Sequence, residues 1–177
     1  MPTYVAFLRG VNVGGHNRMK MDELRDVCTS LGYAEVRTYI QSGNVVLGTA
    51  EADERALRAA IHDAIEDAFG YDVTVMARTR EALEAVVAGT PFEGPDDGVR
   101  RYVTFLNEEP GEDRVEALQD AAVDGETFAV VGREVYSELD TDVVGDGRTT
   151  DAGRLLGTPA TRRNWNVVTA VLKLSSS

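Results

Sequence analysis

The 177-residue sequence contains very little cysteine and has no long apolar run. Its single cysteine, Cys28, excludes a disulfide framework and a zinc site built from several thiolates. No stretch approaches the roughly 20 apolar residues that a membrane-spanning helix needs. The first residues, MPTYVAFLRG, lack the basic start and long apolar segment of a secretion signal. We therefore expect a cytoplasmic protein with no membrane partner.

Lysine is equally scarce, occurring only at Lys20 and Lys173, so that 16 of the 18 basic residues are arginine. Thirty acidic residues give a net charge of -12, and isoleucine occurs only at positions 40, 61 and 65. This composition is typical of adaptation to concentrated salt, where the Debye length falls to about 3 Å at 1 M. GC-rich codon usage with ordinary acidity would produce the same composition. In either case the net charge repels polyanions, and we do not expect a nucleic-acid partner.

The first half of the chain alternates between apolar strands and amphipathic helices. The pattern predicts a strand at 3–9, a glycine-bearing loop at 10–19, a helix at 21–31, strands at 35–41 and 44–48, a helix at 53–69 and a strand at 72–77. Cys28 falls on the apolar face of the first helix, so we expect it in the core. This order of elements is that of a ferredoxin-like split βαβ unit.

The second half repeats this order after a helix at 79–88 and an acidic, proline-containing linker, PFEGPDDG, at 91–98. The pattern predicts a strand at 99–106, a helix at 111–122, a hairpin of strands 126–131 and 134–139, and helices at 151–156 and 161–172. We therefore expect an α+β fold of two tandem ferredoxin-like units, 1–78 and 99–177, joined by residues 79–98. The second unit has a helix in place of its last strand.

Loop 9–18, with the sequence RGVNVGGHNR, is the most unusual segment of the chain. Its glycines can adopt positive φ and expose backbone amides, which form concave anion-binding nests. It has neither the ending of a P-loop nor the glycine spacing of a dinucleotide fingerprint. The alternative is a long connection that uses glycine for its turns.

Turn 41–44, Gln-Ser-Gly-Asn, is expected beside this loop, although it also fits a simple hairpin turn. A right-handed crossover makes the first two strands of a split βαβ unit parallel, so their carboxyl ends lie at one sheet edge. Loop 9–18 follows one of these strands and turn 41–44 follows the other. Arg9, Asn12, Gln41 and Asn44 are therefore expected to line one cleft.

A third polar segment, TRRNWNVV, occupies residues 161–168. Thr161 is expected to cap the C-terminal helix, whose free amides would form an anion site with Arg162 and Arg163. The alternative is a capped helix that only packs through Trp165 and its valines. The candidate ligand-binding residues are Arg9, Gly10, Asn12, Gly14, Gly15, Gln41, Ser42, Asn44, Thr161, Arg163, Asn164 and Asn166.

The sequence offers no metal set and no nucleophile. His16 and His62 are far apart and show no helical pairing with a carboxylate, so we expect no metal site. Neither a G-x-S-x-G motif nor a cysteine–histidine arrangement is present. The pattern assigns no cofactor and no oligomeric state.

The chain resembles the family called domain of unknown function 1697. The resemblance lies in LRGVNVGG, MDEL, VRTYIQSGNVV and LGTPATRRNWNVVTAVLKL, and it covers nearly the whole chain. It implies tandem ferredoxin-like units and marks the three polar segments as family features, but it implies no activity. This chain departs from the family pattern at Arg162 and Val167, where threonine is usual, and at residues 147–150, where a Gly-Arg-Ser-Lys-like segment is usual.

Three functions fit these observations. The first is binding of a small anionic or nucleotide-like ligand in a cleft of loop 9–18, turn 41–44 and the start of the C-terminal helix. The second is an enzyme acting on such a ligand, with His16 as the proton-transfer group near the cleft. The third is an RNA-binding or protein-interaction module that uses an exposed sheet face.

Overall fold

A computed structural model describes residues 1–144 and 150–176 of the chain. The chain divides into two compact units, one formed by Met1–Val87 with Thr169–Ser177 and the other by Ala88–Val168. The expected boundaries, at residues 78 and 98, lie on either side of this division. Residues 147–149, where the chain departs from the family pattern, lie outside the described residues.

The first unit contains a four-stranded antiparallel sheet in the order β2-β3-β1-β4. Its elements are β1 (Thr3–Leu8), α1 (Met21–Ser30), β2 (Ala34–Thr38), β3 (Asn44–Gly48), α2 (Glu54–Phe69), β4 (Val75–Thr79) and α3 (Arg80–Ala88). The central strand β1 pairs Val5 with Val46 of β3 and Ala6 with Ala77 of β4. The expected succession of strands and helices in this half is confirmed.

The core of the first unit lies between the sheet and helices α1 and α2. Residues on alternate positions of β1 and one face of each helix are buried: Tyr4, Ala6, Leu8, Leu24, Cys28, Leu57, Ile61 and Ile65. Each fully buried aliphatic side chain stabilises the fold by about 1.5–3 kcal/mol. Cys28 is fully buried as expected, and its burial raises the pKa of the thiol to about 12.

The opposite face of this sheet is buried as well. Val5, Phe7, Val46 and Met76, which alternate with the core residues along their strands, have no exposed surface. The apolar residues of these strands are therefore buried on both faces of the sheet.

Helix α2 shows how local sequence signals set the ends of an element. The Asp53 carboxylate accepts hydrogen bonds from the Arg55 and Ala56 amides at 2.9 and 3.4 Å, which caps the first turn. Gly70 ends the helix with φ of +76°, a left-handed conformation that glycine adopts without a Cβ penalty. Both ends agree with the sequence prediction to within one residue.

The second unit contains a sheet with the equivalent order, β6-β7-β5-β8. Its elements are β5 (Val99–Leu106), α4 (Glu112–Ala121), β6 (Glu126–Val131), β7 (Glu134–Asp140), α5 (Thr141–Val144), α6 (Ala152–Leu156) and β8 (Ala160–Asn164), and α7 (Trp165–Ser175) follows. The two antiparallel sheets and their helices confirm the expected α+β class. No helix in the described ranges is both long and apolar enough to cross a membrane.

The prediction of a helix beginning at residue 161 is wrong. Residues 160–164 form β8, which pairs with β5 by placing Val103 opposite Arg163 and Phe105 opposite Thr161. The helix begins only at Trp165. The polar sequence Thr-Arg-Arg-Asn hides this strand, because its extended conformation depends on pairing with β5 and not on apolar alternation.

Candidate functional site

Loop 9–18 and turn 41–44 meet in the first unit, as the topology predicts. The Leu8 amide donates to the Gly43 carbonyl at 2.8 Å, where β1 ends and β3 begins. Further along the loop, Asn12 Nδ2 donates to the Gln41 carbonyl oxygen at 2.7 Å. These two hydrogen bonds join the loop to the turn, and we call the joined surface the loop junction, residues 9–18 and 39–44.

Asn12 is the central brace of the loop junction. Its backbone has φ of +57°, which asparagine tolerates better than most residues. Besides the bond to Gln41, its side-chain amide donates to the Met19 carbonyl at 2.9 Å, and its Oδ1 accepts from the Met19 amide at 2.8 Å. One side chain therefore fixes both the end of the loop and the turn.

Asn44 and Asn17 hold the remaining backbone. Asn44 is fully buried, and its Nδ2 donates to the Tyr39 carbonyl and to the Ser42 hydroxyl, both at 3.0 Å. Asn17 donates from Nδ2 to the Gly10 carbonyl at 3.2 Å. Asn12 and Asn44, which are expected from the sequence to contact a ligand, thus donate to the protein's own backbone and support the surface.

Cations and glycine amides are among the groups that remain at the surface. Arg9 and Arg18 are exposed, and neither guanidinium forms an ion pair with a described residue. Gly14 and Gly15 adopt φ of +57° and +80°, and their amides have no hydrogen-bond acceptor within residues 1–144 and 150–176. Exposed amides in left-handed loops combined with arginine are the groups that bind oxyanions in proteins.

The charge distribution along the chain sets the loop junction apart. Residues 1–21 and 36–50 contain no aspartate or glutamate, although the whole chain has 30 acidic residues. The same stretches carry Arg9, Arg18, Lys20 and Arg37. Arg37 donates to the Leu174 carbonyl at 2.6 Å, and Arg9, Arg18 and Lys20 are the exposed cations of these two stretches.

The third predicted segment lies in the second unit, where the structure corrects its assignment. Thr161 is buried in β8 and caps no helix. Arg163 is also buried, donates to Thr161 Oγ1 at 2.8 Å and to the Arg162 carbonyl at 3.0 Å, and has a pKa lowered to about 10 by burial. The cap of α7 is Asn164, whose Oδ1 accepts from the Asn166 amide at 2.8 Å.

The exposed cation of this segment is Arg162, which sequence reasoning assigned only to a helix N-terminus. Its guanidinium lies 4.2 Å from the centre of the Tyr102 ring, a cation–π contact across β5 and β8. Nearby, Asn164 and Asn166 line a cavity of about 160 Å³ with Arg100 and Arg101. Arg101 pairs there with Glu138 at 2.9 Å and donates to backbone carbonyls of the acidic linker, so its side chain holds the linker backbone in position.

The expectation that His62 has no carboxylate partner on its helix is wrong. His62 does have a carboxylate one helical turn away, Glu66, and the ligand atoms of His62, Glu66 and Asp72 lie within 4.8 Å of one another. These are the described residues that could hold a metal ion. Each ring nitrogen already contacts a carboxylate, Nδ1 at 3.0 Å from Asp63 and Nε2 at 2.7 Å from Asp72, and these hydrogen bonds raise the His62 pKa.

His16, the proposed proton-transfer residue, is exposed in loop 9–18. Its backbone amide donates to the Val13 carbonyl at 2.8 Å. Its ring makes no hydrogen bond or ion pair within the described ranges. Among residues 1–144 and 150–176, no hydrogen-bonding partner therefore orients this ring.

Comparison with known proteins gives a family and a fold. The family model described as "Protein of unknown function (DUF1697)" matches residues 1–136. The structure of the conserved bacterial protein SP0830 from Streptococcus pneumoniae is similar to the chain, with a TM-score of 0.79 and 23% identity over 98% of both chains. The search of curated proteins finds no match. This likeness supports the fold and carries no activity to the chain.

Proposed function

The chain belongs to the DUF1697 family of proteins of unknown function, and we propose that it binds a small anionic ligand at the loop junction of its first unit. The observation that carries this proposal is the combination of exposed Arg9 and Arg18 with open glycine amides in a loop that belongs to stretches of sequence, 1–21 and 36–50, without any acidic residue. The rest of the chain is strongly acidic, so this local reversal of charge is the property that the proposal explains.

The geometry favours a small oxyanion over a polyanion. A phosphate or carboxylate accepts charge-assisted hydrogen bonds from arginine and can also accept from backbone amides. The bracing by Asn12 and Asn44 fixes the loop before a ligand binds, which lowers the entropy lost on binding. A long polyanion would extend beyond the loop junction into the field of the other carboxylates, which opposes it.

We also propose that the two units are tandem copies of one ferredoxin-like unit. The equivalent orders of the two antiparallel sheets support this proposal. So does the strand β8, which gives the second unit the last strand that the sequence analysis replaced with a helix.

The enzyme alternative receives no support from the described residues. Catalysis would need a positioned proton-transfer group, and the His16 ring has no partner that positions it. Binding without chemistry needs only the groups already present at the loop junction.

The test is a thermal-shift screen of phosphate, pyrophosphate, phosphorylated metabolites and small carboxylates in molar KCl. A ligand at about 100 times its Kd stabilises the protein by about 2.7 kcal/mol, which corresponds to a rise in Tm of roughly 5–10 °C for a chain of this size. We expect Arg9→Ala with Arg18→Ala to abolish the shift. Arg55→Ala removes an exposed arginine elsewhere in the first unit and should retain it. The proposal fails if no compound stabilises the wild type more than the double variant.

A further inference from the structure

Ile40, within the loop junction, has a backbone conformation that isoleucine rarely adopts. Its φ is +49°, in the left-handed region, where a β-branched side chain meets the backbone. Glycine or asparagine would occupy this position with less strain. Residues in such conformations persist only where the surrounding structure imposes them, and they concentrate at functional sites.

The residues on both sides of Ile40 are fixed. Tyr39 exchanges two hydrogen bonds with Asn44, one from its amide and one to its carbonyl, both at 3.0 Å. The Gln41 carbonyl accepts from Asn12 at 2.7 Å. These bonds hold the backbone at position 40 in place, but none of them involves the isoleucine side chain.

Packing does not account for isoleucine at this position. The Ile40 side chain is 49% exposed and does not belong to the core of the first unit. Val13, next to Asn12 on the other side of the same hydrogen bond, is 60% exposed. An exposed aliphatic residue thus adjoins each partner of the bond that joins loop and turn, and the exposed charged residues of the loop junction are Arg9 and Arg18.

We propose that the anion bound at the loop junction is a nucleoside monophosphate, whose base packs against Ile40 and Val13 while its phosphate binds Arg9 and Arg18. This inference rests on the proposed anion-binding function and adds the chemistry of the organic group. The cations complement the phosphate, and the aliphatic pair complements the flat, weakly polar face of a base. The exposed Gln41 side chain offers one amide donor and one acceptor to the base edge.

The experiment compares inorganic phosphate, ribose 5-phosphate and AMP by calorimetric titration of the full chain at one ionic strength. We expect AMP to bind roughly tenfold more tightly than ribose 5-phosphate, the gain from burying about 60 Å² of apolar surface. Ile40→Gly should reduce the preference for AMP over ribose 5-phosphate, while the affinity for phosphate is unchanged. Val13→Ala should reduce the AMP preference without altering the backbone at position 40. Leu31→Ala, which truncates another exposed aliphatic side chain of the first unit, should leave it intact.

The outcomes separate this inference from the proposed function. Equal affinities for AMP, ribose 5-phosphate and phosphate in the wild type refute the role of the base while anion binding stands. An AMP preference that survives both Ile40→Gly and Val13→Ala also refutes it. If none of the three compounds binds, the anion-binding function itself fails, and this inference fails with it.

Discussion

Replacing Asn12 with alanine should destabilise the protein more than its half-exposed position suggests. The side chain makes three hydrogen bonds to backbone, two with Met19 and one with the Gln41 carbonyl, at 2.7–2.9 Å. The same residue holds a backbone φ of +57°. Asn12→Ala removes the hydrogen bonds and places a residue with no local polar side chain in the left-handed region.

The structure allows the two contributions to be separated. A hydrogen bond contributes about 1 kcal/mol net, and partial exposure here reduces the three to roughly 2 kcal/mol together. An alanine in the left-handed conformation costs about 1 kcal/mol more. Asn12→Ala should therefore lower the free energy of unfolding by about 3 kcal/mol, and Asn12→Gly, which tolerates the backbone conformation, by about 2 kcal/mol. At 2–4 °C per kcal/mol, the alanine variant should melt roughly 6–12 °C below the wild type.

Urea denaturation and calorimetry of both variants measure these differences. Asn17→Gly is the matched control, because Asn17 also has positive φ, at +49°, but its side chain makes a single hydrogen bond of 3.2 Å. It should cost less than about 1 kcal/mol. If Asn12→Ala costs no more than Asn17→Gly, the side chain of Asn12 is not the brace of the loop junction.

Three further outcomes are expected. Gly43→Ala should lower the free energy of unfolding by at least about 2 kcal/mol in a denaturant titration, because φ at Gly43 is +81° and a Cβ there would lie 2.8 Å from the Leu8 Cβ. A stability within about 0.5 kcal/mol of the wild type, roughly the effect of a neutral surface substitution, would contradict this crowding. The contacts of His62 raise its pKa, so they stabilise the fold at pH values below the ordinary histidine pKa of 6.5, and this stabilisation disappears as the pH rises through the folded-state pKa. In an NMR titration, Asp72→Asn should lower the His62 pKa, and an unchanged pKa would exclude the contact. Because the net charge is -12, Tm should rise by several degrees between dilute buffer and molar KCl, and a Tm independent of KCl would favour codon usage over salt adaptation.

Local sequence signals predict the elements of the first unit well. Helix α2 is predicted at 53–69 and observed at Glu54–Phe69, since Asp53 and Gly70 mark its ends by side-chain capping and by positive φ. Strand β3 matches its predicted range, 44–48, because the apolar run NVVLG is short and bounded by turn residues. These signals act within a few residues and need no knowledge of the rest of the fold.

Local sequence patterns do not reveal structure that depends on residues far away in the chain. Strand β8 is extended because it pairs with β5, about 60 residues earlier in the chain, and its four polar residues show no strand pattern. The same strand buries Arg163, which the sequence analysis placed at an exposed helix start. Arginine is rarely buried, so composition favours the wrong assignment here.

In the candidate site too, some features are predictable from the sequence and others appear only in the structure. Strands β1 and β2 both pair antiparallel with β3, so loop 9–18 and turn 41–44 leave the sheet at the same edge, and Asn12 contacts Gln41 there. The sequence does not show that Asn12 and Asn44 donate to backbone carbonyls, because an asparagine that braces a loop and one that contacts a ligand look identical in a sequence. The strain at Ile40 is equally invisible, since it is a property of the backbone that the neighbouring hydrogen bonds impose.

The surface charge and the loop junction are connected by the range of electrostatic interactions. At low ionic strength, about 0.01 M, the Debye length is roughly 30 Å, so the 30 carboxylates of the chain oppose the approach of any anion to Arg9 and Arg18. At molar salt the Debye length is about 3 Å, which removes this distant repulsion and leaves direct contacts as the interactions that are screened least. Selectivity at such a surface then depends on direct hydrogen bonds and apolar contact and not on net charge. A site with glycine amides, two arginines and exposed aliphatic side chains has the groups that remain effective under those conditions.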